Sequence, residues 1–193
     1  MKRFLTLPFA ISMLAVPLIA GEIHGKVSTQ GLRDSSNAVV YIDKVSGKTV
    51  APPSVHARMD QKNMRFVPHV LPVVIGTTVD FFNSDSVLHN VFSPDACADR
   101  FNLGTWAQGQ TKNFTFKKAC FAALLCKVHP EMEGFVAALP TPYFAVTSPD
   151  GSYEIKDVPD GTYTLKVWHP TLKPAMRTVA VKGATETDFA IAK

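Results

Sequence analysis

The sequence predicts an all-β protein. Valine, threonine, phenylalanine and tyrosine alternate with polar residues over short runs, and turn-forming residues separate these runs. No stretch combines sustained helical periodicity with capping residues, and residues 93–110 form the longest segment predicted to be irregular. The clearest predicted strands are Thr78–Phe81, Asn113–Phe116, Tyr153–Ile155, Tyr163–Val167 and Thr178–Val181. Asp150-Gly151 and Asp160-Gly161 lie between such runs, which predicts hairpin turns at both places.

Residues 1–20 have the pattern of a secretion signal peptide. Lys2 and Arg3 form a basic start, residues 4–20 are almost wholly apolar, and the small residue Gly21 follows. The apolar run is near the lower length limit for a bilayer span, and prolines interrupt it. A cleaved signal peptide is therefore favoured over an uncleaved membrane anchor. We expect a periplasmic protein with no stable membrane insertion.

Three residues with different metal-binding atoms follow one another at two-residue gaps: Cys126, His129 and Met132. A thiolate, an imidazole and a thioether are the ligands of a type 1 (blue) copper site, which needs one further histidine. His89 is the candidate for that position. Cys126 ends a predicted strand that begins at Cys120, and the next two ligands lie on the turn that follows it. We predict one mononuclear copper site from these residues.

Two other interpretations of these residues stay open. Met132 could fill a gap in the core, because methionine packs readily into irregular spaces. Zinc could bind the thiolate and the two imidazoles, although zinc has little use for a thioether ligand. No metal role is expected for the remaining histidines, which are His24, His56, His69 and His169.

The chain has three cysteines, an odd number for an oxidising compartment. If Cys126 is a metal ligand, Cys97 and Cys120 remain to form a disulfide. A Cys120–Cys126 bridge is the alternative, and it would destroy the metal site. The first pairing is favoured, since the residues around Cys126 need a free thiolate.

Charge and motifs argue against several functional classes. The formal net charge is only +4, and the basic residues form no long run, so nucleic-acid binding is not expected. Ser84, Ser86 and Ser93 lie near His89, but no nucleophile elbow accompanies them. No His-x-His sequence suggests the additional copper sites of multicopper enzymes. We therefore expect that the protein is not an enzyme.

The central part of the chain resembles a cupredoxin of the plastocyanin and amicyanin type. The motifs that carry this resemblance are Arg65-Phe66-Val67-Pro68, Val79-x-Phe81-x-Asn83-x-Asp85, His89-Asn90-Val91, Phe114-x-Phe116 and Cys126-x-x-His129-x-x-Met132-x-Gly134. The resemblance implies a Greek-key sandwich over residues 51–142 with the four ligands named above. It also implies that Asn90 ties the two ligand-bearing segments together. Ala122 and Leu124 stand where the family places aromatic residues, so an aromatic exit route for the electron is in doubt.

The last fifty residues resemble a carboxypeptidase regulatory-like domain, a small transthyretin-like sandwich. The motifs are Ala145-Val146-Thr147-Ser148-Pro149-Asp150-Gly151-Ser152-Tyr153-Glu154-Ile155 and Val158-Pro159-Asp160-Gly161-Thr162-Tyr163-Thr164-Leu165-Lys166-Val167. The opening strands of that family are similar to two segments within residues 21–50. We predict that residues 21–50 and 143–193 form one small β-sandwich, into which the central domain is inserted. The alternative is that residues 21–50 add edge strands to the central domain.

These predictions combine into one expected function. The protein would carry single electrons between periplasmic redox partners, and a c-type cytochrome or a dehydrogenase is the partner that the resemblance implies. A copper-binding or copper-delivery protein that never cycles between oxidation states is the main alternative. An adhesion or scaffold module with a degenerate copper fold is a third, and the intact ligand set disfavours it.

Overall fold

Four β-sheets stack face to face in this protein, and a separate hydrophobic core fills each of the three spaces between them. The structure is a computed structural model that describes residues 20–47 and 50–193. Regular structure in these residues consists of β-strands and one short 3₁₀ helix, Ala96–Ala98. The predicted all-β sandwich class is confirmed. The predicted signal peptide lies outside the described residues except for Ala20, which begins the first strand.

Two of the sheets form the central unit, whose strands lie between residues 57 and 139. One sheet has the strand order β5-β11-β10-β7-β8 and the other has the order β4-β3-β6-β9. The strands are β3 (Ala57–Gln61), β4 (Phe66–Val67), β5 (Val70–Val74), β6 (Thr78–Asn83), β7 (His89–Phe92), β8 (Asn102–Trp106), β9 (Thr111–Thr115), β10 (Cys120–Leu125) and β11 (Glu133–Leu139). Alternate side chains of these strands point into a shared core, because successive residues of a strand face opposite sides of the sheet.

The other two sheets form the outer unit, which takes strands from both ends of the chain. The strands are β1 (Ala20–Thr29), β2 (Val39–Ile42), β12 (Phe144–Val146), β13 (Ser152–Pro159), β14 (Gly161–Trp168), β15 (Ala175–Val181), β16 (Ala184–Glu186) and β17 (Phe189–Ile191). β1 pairs with β13, β16 and β17, and β2 pairs with β12 and β14. Among the described residues, no strand of the central unit pairs with β1 or β2, so these strands are not its edge strands.

The two units meet through β2 and β11, which are buried on both faces. In β11, Val136 and Ala138 face the central core, whereas Phe135, Ala137 and Leu139 pack towards the outer unit. β2 behaves in the same way, because its four residues are all buried and divide between two cores. A strand buried on both faces reads as a continuous apolar run, and both strands have such runs.

Three local predictions are corrected. Asp150-Gly151 precedes β13 and Asp160-Gly161 joins β13 to β14, but neither turn joins two paired strands, since β13 lies in a different sheet from β12 and β14. An Asp-Gly turn reverses the chain without fixing which strand becomes the partner. Within the segment predicted to be irregular, Asn102–Trp106 forms β8. Gly104, with φ of 73°, and a bulge in the pairing with β7 interrupt the alternation that would have indicated a strand.

Candidate metal centre

His89, Cys126 and His129 come together at one end of the central unit. His89 is the first residue of β7, Cys126 directly follows β10, and His129 lies on the turn between β10 and β11. One ligand atom from each of the three side chains lies within 4.8 Å of the others. The neighbouring strands β7 and β10 pair antiparallel, which brings the start of one to the end of the other. The fold therefore brings three of the four predicted ligands together.

The two imidazoles face one another through their Nδ1 atoms, which are 3.1 Å apart. Their ring centroids are 4.8 Å apart, and the rings are inclined by 66°. His89 is fully buried, whereas His129 is partly exposed. The other ring nitrogen of His89, Nε2, lies 2.9 Å from Oδ2 of Asp85 and donates a hydrogen bond to it. In a neutral imidazole, this leaves Nδ1 with a free electron pair on the side of His129.

Cys126 is buried and free, and it accepts one backbone hydrogen bond. The N–H of Asn90 donates to its Sγ at 3.4 Å. The side chain of Asn90 also joins the two segments, since its Oδ1 accepts from the N–H of Lys127 at 3.3 Å and its Nδ2 donates to the carbonyl of Gly104 at 2.7 Å. Hydrogen bonds of this kind hold a sulfur ligand in place.

Met132 is buried in the same core cluster as Cys126. Its N–H donates to the carbonyl of His129 at 3.0 Å, which closes the turn that carries both residues. Gly134 then begins the approach of β11 to β4. A Cβ atom on Gly134 would lie 2.6 Å from Cβ of Phe66, so only glycine fits there. The close contact with Phe66 therefore leaves no room for a side chain at the point where the ligand turn enters β11.

The structure contains a disulfide between Cys97 and Cys120, with Cα atoms 5.5 Å apart. It is the pairing that the sequence favoured, and it leaves Cys126 available as a ligand. The alternative Cys120–Cys126 bridge is not formed. The disulfide joins the 3₁₀ helix to the start of β10, the strand that leads to Cys126.

Asp85 is a site residue to which the sequence analysis gave no role. Its carboxylate accepts backbone N–H groups from Asn63 at 2.7 Å and Met64 at 2.9 Å, as well as the imidazole of His89. Desolvation alone would raise the pKa of Asp85, but the hydrogen bonds from Met64, His89 and Asn63 together lower its pKa below the usual value. The signal in the sequence is its position four residues before a candidate ligand, in a segment that also carries Asn83.

Gln61 is a second residue that was missed. It is fully buried, and its Nε2 donates to the carbonyl of Asn90 at 3.3 Å. Its Oε1 is also buried and has no hydrogen-bond partner. The backbone of Asn90 therefore has two side-chain partners: Gln61 donates to its carbonyl, and Cys126 accepts from its N–H. A glutamine at the end of a short strand gives no sequence signal for such a contact.

The four other histidines are not part of this group. Nδ1 of His56 is 2.9 Å from Oδ1 of Asp80, Nδ1 of His24 is 3.8 Å from Oε1 of Glu22, and the ring of His69 packs edge-on against Phe135. Within residues 20–47 and 50–193, His89, Cys126 and His129 form the only group of three or more such side chains placed to share a metal ion.

The three side chains fit a metal ion chemically. Two ligands that each lie about 2.0 to 2.3 Å from one ion are separated by roughly 3.3 to 3.8 Å in a trigonal or tetrahedral site. The observed separations run from 3.1 Å between the imidazoles to at most 4.8 Å, so shifts of about 1 Å would let all three share an ion. A thiolate with two imidazoles is also a donor set that suits copper.

Comparisons with solved structures give similar proteins for the central part of the chain. A purple cupredoxin from Nitrosopumilus maritimus is 26% identical, with a TM-score of 0.39, over 42% of this chain and 98% of that protein. An amicyanin variant in its reduced state is 24% identical, with a TM-score of 0.41, over 51% of this chain and 97% of the other. A copper-containing nitrite reductase from Thermus scotoductus is 24% identical, with a TM-score of 0.43, over 52% of this chain but only 25% of its own.

The central unit is cupredoxin-like. This conclusion rests on its two stacked sheets and on the histidine and cysteine side chains at one end. Comparisons with protein-family models and with curated proteins give no match. In the part of the chain that the structure describes, no helix has the length and apolar character needed to cross a bilayer.

Proposed function

We propose that the central unit binds one copper ion and that the protein carries single electrons. The observation that carries this proposal is the convergence of a buried thiol and two imidazole Nδ1 atoms at one end of the sandwich. His89, Cys126 and His129 would hold the ion, and Met132 is proposed as the weak axial ligand. A copper ion bound in this way supplies a one-electron couple between Cu(II) and Cu(I).

The residues around the site favour a fixed geometry. Asn90 holds the sulfur of Cys126 and the start of the ligand turn at the same time. Nε2 of His89 donates to Asp85 on the side away from His129. Ligands attached to paired strands and held by further hydrogen bonds move little when the charge of the ion changes. Such rigidity suits electron transfer, because little structural rearrangement accompanies it.

The surface beside the site suits contact with a redox partner. His129 is partly exposed, and the residues just before the two candidate histidines are exposed and apolar: Val87, Leu88 and Val128 are exposed by 42%, 54% and 44%. Exposed apolar residues grouped around a functional side chain indicate an interaction surface. We propose that electrons enter or leave through His129, and that a c-type cytochrome or a dehydrogenase docks here. No catalytic reaction is assigned to the protein.

We also propose an inserted-domain organisation and a periplasmic location. Residues 51–142 would form the cupredoxin-like domain, inserted into a carboxypeptidase regulatory-like sandwich made of residues 21–50 and 143–193. The pairing of β1 and β2 with strands after residue 143 supports the insertion. The Cys97–Cys120 disulfide and the signal-like N-terminal sequence support an oxidising compartment.

A copper titration tests the proposal. Cu(II) is added to the purified protein that starts at Gly21, and the visible spectrum is recorded. An intense thiolate-to-copper charge-transfer band that saturates at one equivalent is expected. Absence of that band would overturn the electron-carrier proposal. Cyclic voltammetry then separates the carrier from the copper-delivery alternative, since a carrier gives a reversible one-electron wave while it retains its copper.

A further inference from the structure

Asp85 connects His89 to a turn on the opposite sheet. Its side chain is only 15% exposed, and its Oδ2 atom lies 2.9 Å from Nε2 of the fully buried His89. The N–H of Asp85 donates to Oδ1 of Asn83 at 2.9 Å, and Nδ2 of Asn83 donates to the carbonyl of Val87 at 2.8 Å. The backbone on both sides of Asp85 is therefore tied down.

The turn that receives the carboxylate is built at a conformational cost. Lys62 and Arg65 close it with two reciprocal backbone hydrogen bonds, and the two central residues, Asn63 and Met64, have φ of 54° and 59°. Two successive positive φ values define a type I′ turn, in which asparagine is favoured but methionine is not. This conformation points both central N–H groups at Asp85, at 2.7 and 2.9 Å. Successive N–H groups that converge in this way form a site for an anion.

We propose that Asp85 is a positioning residue which fixes the ring of His89 and keeps one negative charge beside the metal site. This inference rests on the proposed copper function. The hydrogen bond to Asp85 places the proton of His89 on Nε2, so that Nδ1 presents its electron pair to the ion. The carboxylate also makes the imidazole a stronger donor, which favours the more highly charged Cu(II) over Cu(I).

The expected effect has a definite sign. Loss of the carboxylate weakens Cu(II) binding more than Cu(I) binding, so the reduction potential rises. Replacement of a residue that supports a metal-binding histidine commonly lowers metal affinity by about 10- to 100-fold. Each tenfold loss of Cu(II) affinity relative to Cu(I) corresponds to a rise of about 59 mV for a one-electron couple.

Two variants separate the charge from the hydrogen bond. Asp85→Asn has nearly the same shape and keeps an oxygen that can accept from His89, but it removes the charge and turns an NH₂ group towards the N–H of Asn63. Asp85→Ala removes both. Asp60→Asn is the matched control. Oδ2 of Asp60 accepts from the hydroxyl of Ser84, the residue before Asp85, at 2.7 Å. Asp60 makes no hydrogen bond to His89, so this variant removes a nearby carboxylate charge without changing the contact with the imidazole.

The experiment measures reduction potentials by voltammetry and the imidazole ¹⁵N–H resonances of the Cu(I)-loaded protein by NMR. Wild type and Asp60→Asn should share one potential and show a slowly exchanging Nε2–H of His89. Both Asp85 variants should have a higher reduction potential, by about 59 mV for each tenfold loss of Cu(II) affinity relative to Cu(I). Asp85→Ala should also lose the slowly exchanging Nε2–H of His89. If the wild type forms the charge-transfer band but both Asp85 variants keep its potential and its Nε2–H signal, this inference is wrong and the copper proposal stands. A wild type that forms no band would overturn both.

Discussion

The two sandwiches of this protein use the same kind of strand but bury different kinds of polar group. In the outer unit, buried polar side chains complete the backbone hydrogen bonding of loops. Oγ1 of Thr147 accepts the N–H of Ala38 at 3.1 Å, and the hydroxyl of Thr141 donates to the carbonyl of Ile42 at 2.6 Å. These contacts join segments that are distant in the sequence.

In the central unit, several buried polar residues lie at the end that carries the candidate ligands. Gln61 donates to the carbonyl of Asn90, the N–H of Asn90 donates to Cys126, and Asp85 accepts from His89. Here side-chain donors and acceptors face one another at the end of the sandwich, in an arrangement that a bound ion would complete. In both units, buried polar side chains bond to the backbone, but at this end of the central unit they also hold the side chains of candidate ligands.

The largest expected effect comes from Cys126→Ser. Serine has nearly the same volume but supplies no thiolate, so the charge-transfer band of the copper-loaded protein should disappear completely. The metal-free variant should keep the thermal unfolding curve of the wild type, because the substitution leaves the core almost unchanged in volume. A retained band would show that another sulfur or another site holds the copper.

A matched pair of core substitutions sharpens the contrast between the units. Leu124→Ala and Leu165→Ala each remove a fully buried leucine, the first from the central core and the second from the outer core. Each should lower the free energy of unfolding by about 2 to 5 kcal/mol, measured by chemical denaturation. Only Leu124→Ala should shift the copper spectrum, since Leu124 lies two residues before Cys126. Equal spectral changes in both variants would contradict this separation of roles.

Replacement of the disulfide tests the structural side of the central unit. The double variant Cys97→Ser, Cys120→Ser opens a loop whose ends are 23 residues apart and should lower the free energy of unfolding by about 3 kcal/mol. The copper spectrum should persist, because neither cysteine is a proposed ligand. Loss of the band in a variant that still folds would mean that the disulfide helps to build the site.

The smallest expected effect is a pH dependence of the free energy of unfolding that arises from His169. Burial holds the pKa of His169 below its ordinary value of 6.5, and the charge of His69 acts in the same direction, against a hydrogen bond that the ring donates to the backbone of Ser36. The unfolded chain therefore binds this proton at a higher pH than the folded protein does, so the free energy of unfolding should fall as the pH drops below about 6.5.

Chemical denaturation of the metal-free protein at about pH 7.5 and about pH 5.5 measures this loss. His169→Gln should show a smaller decrease than the wild type between the two pH values. The same decrease in both proteins would assign the pH dependence to other groups.

The sequence was sufficient for much of this organisation because the decisive patterns are local. Cys126, His129 and Met132 fall within seven residues, and strand alternation predicts at least one strand of each sheet. The contacts of Asp85 with Asn63 and Met64 could not be predicted, because these two residues lie on another strand connection and methionine gives no sign of the positive φ that Met64 adopts. The packing of β2 against β11 could not be predicted either. An apolar run indicates that both faces of a strand are buried, but it does not show which strand covers them.

The central claim is that one end of the central unit holds copper, and anomalous diffraction tests it most directly. Crystals of the protein loaded with one equivalent of copper would be measured on both sides of the copper absorption edge. The account predicts one strong anomalous peak among Nδ1 of His89, Sγ of Cys126 and Nδ1 of His129. A peak at His24 or His56, or none at this end of the sandwich, would contradict it.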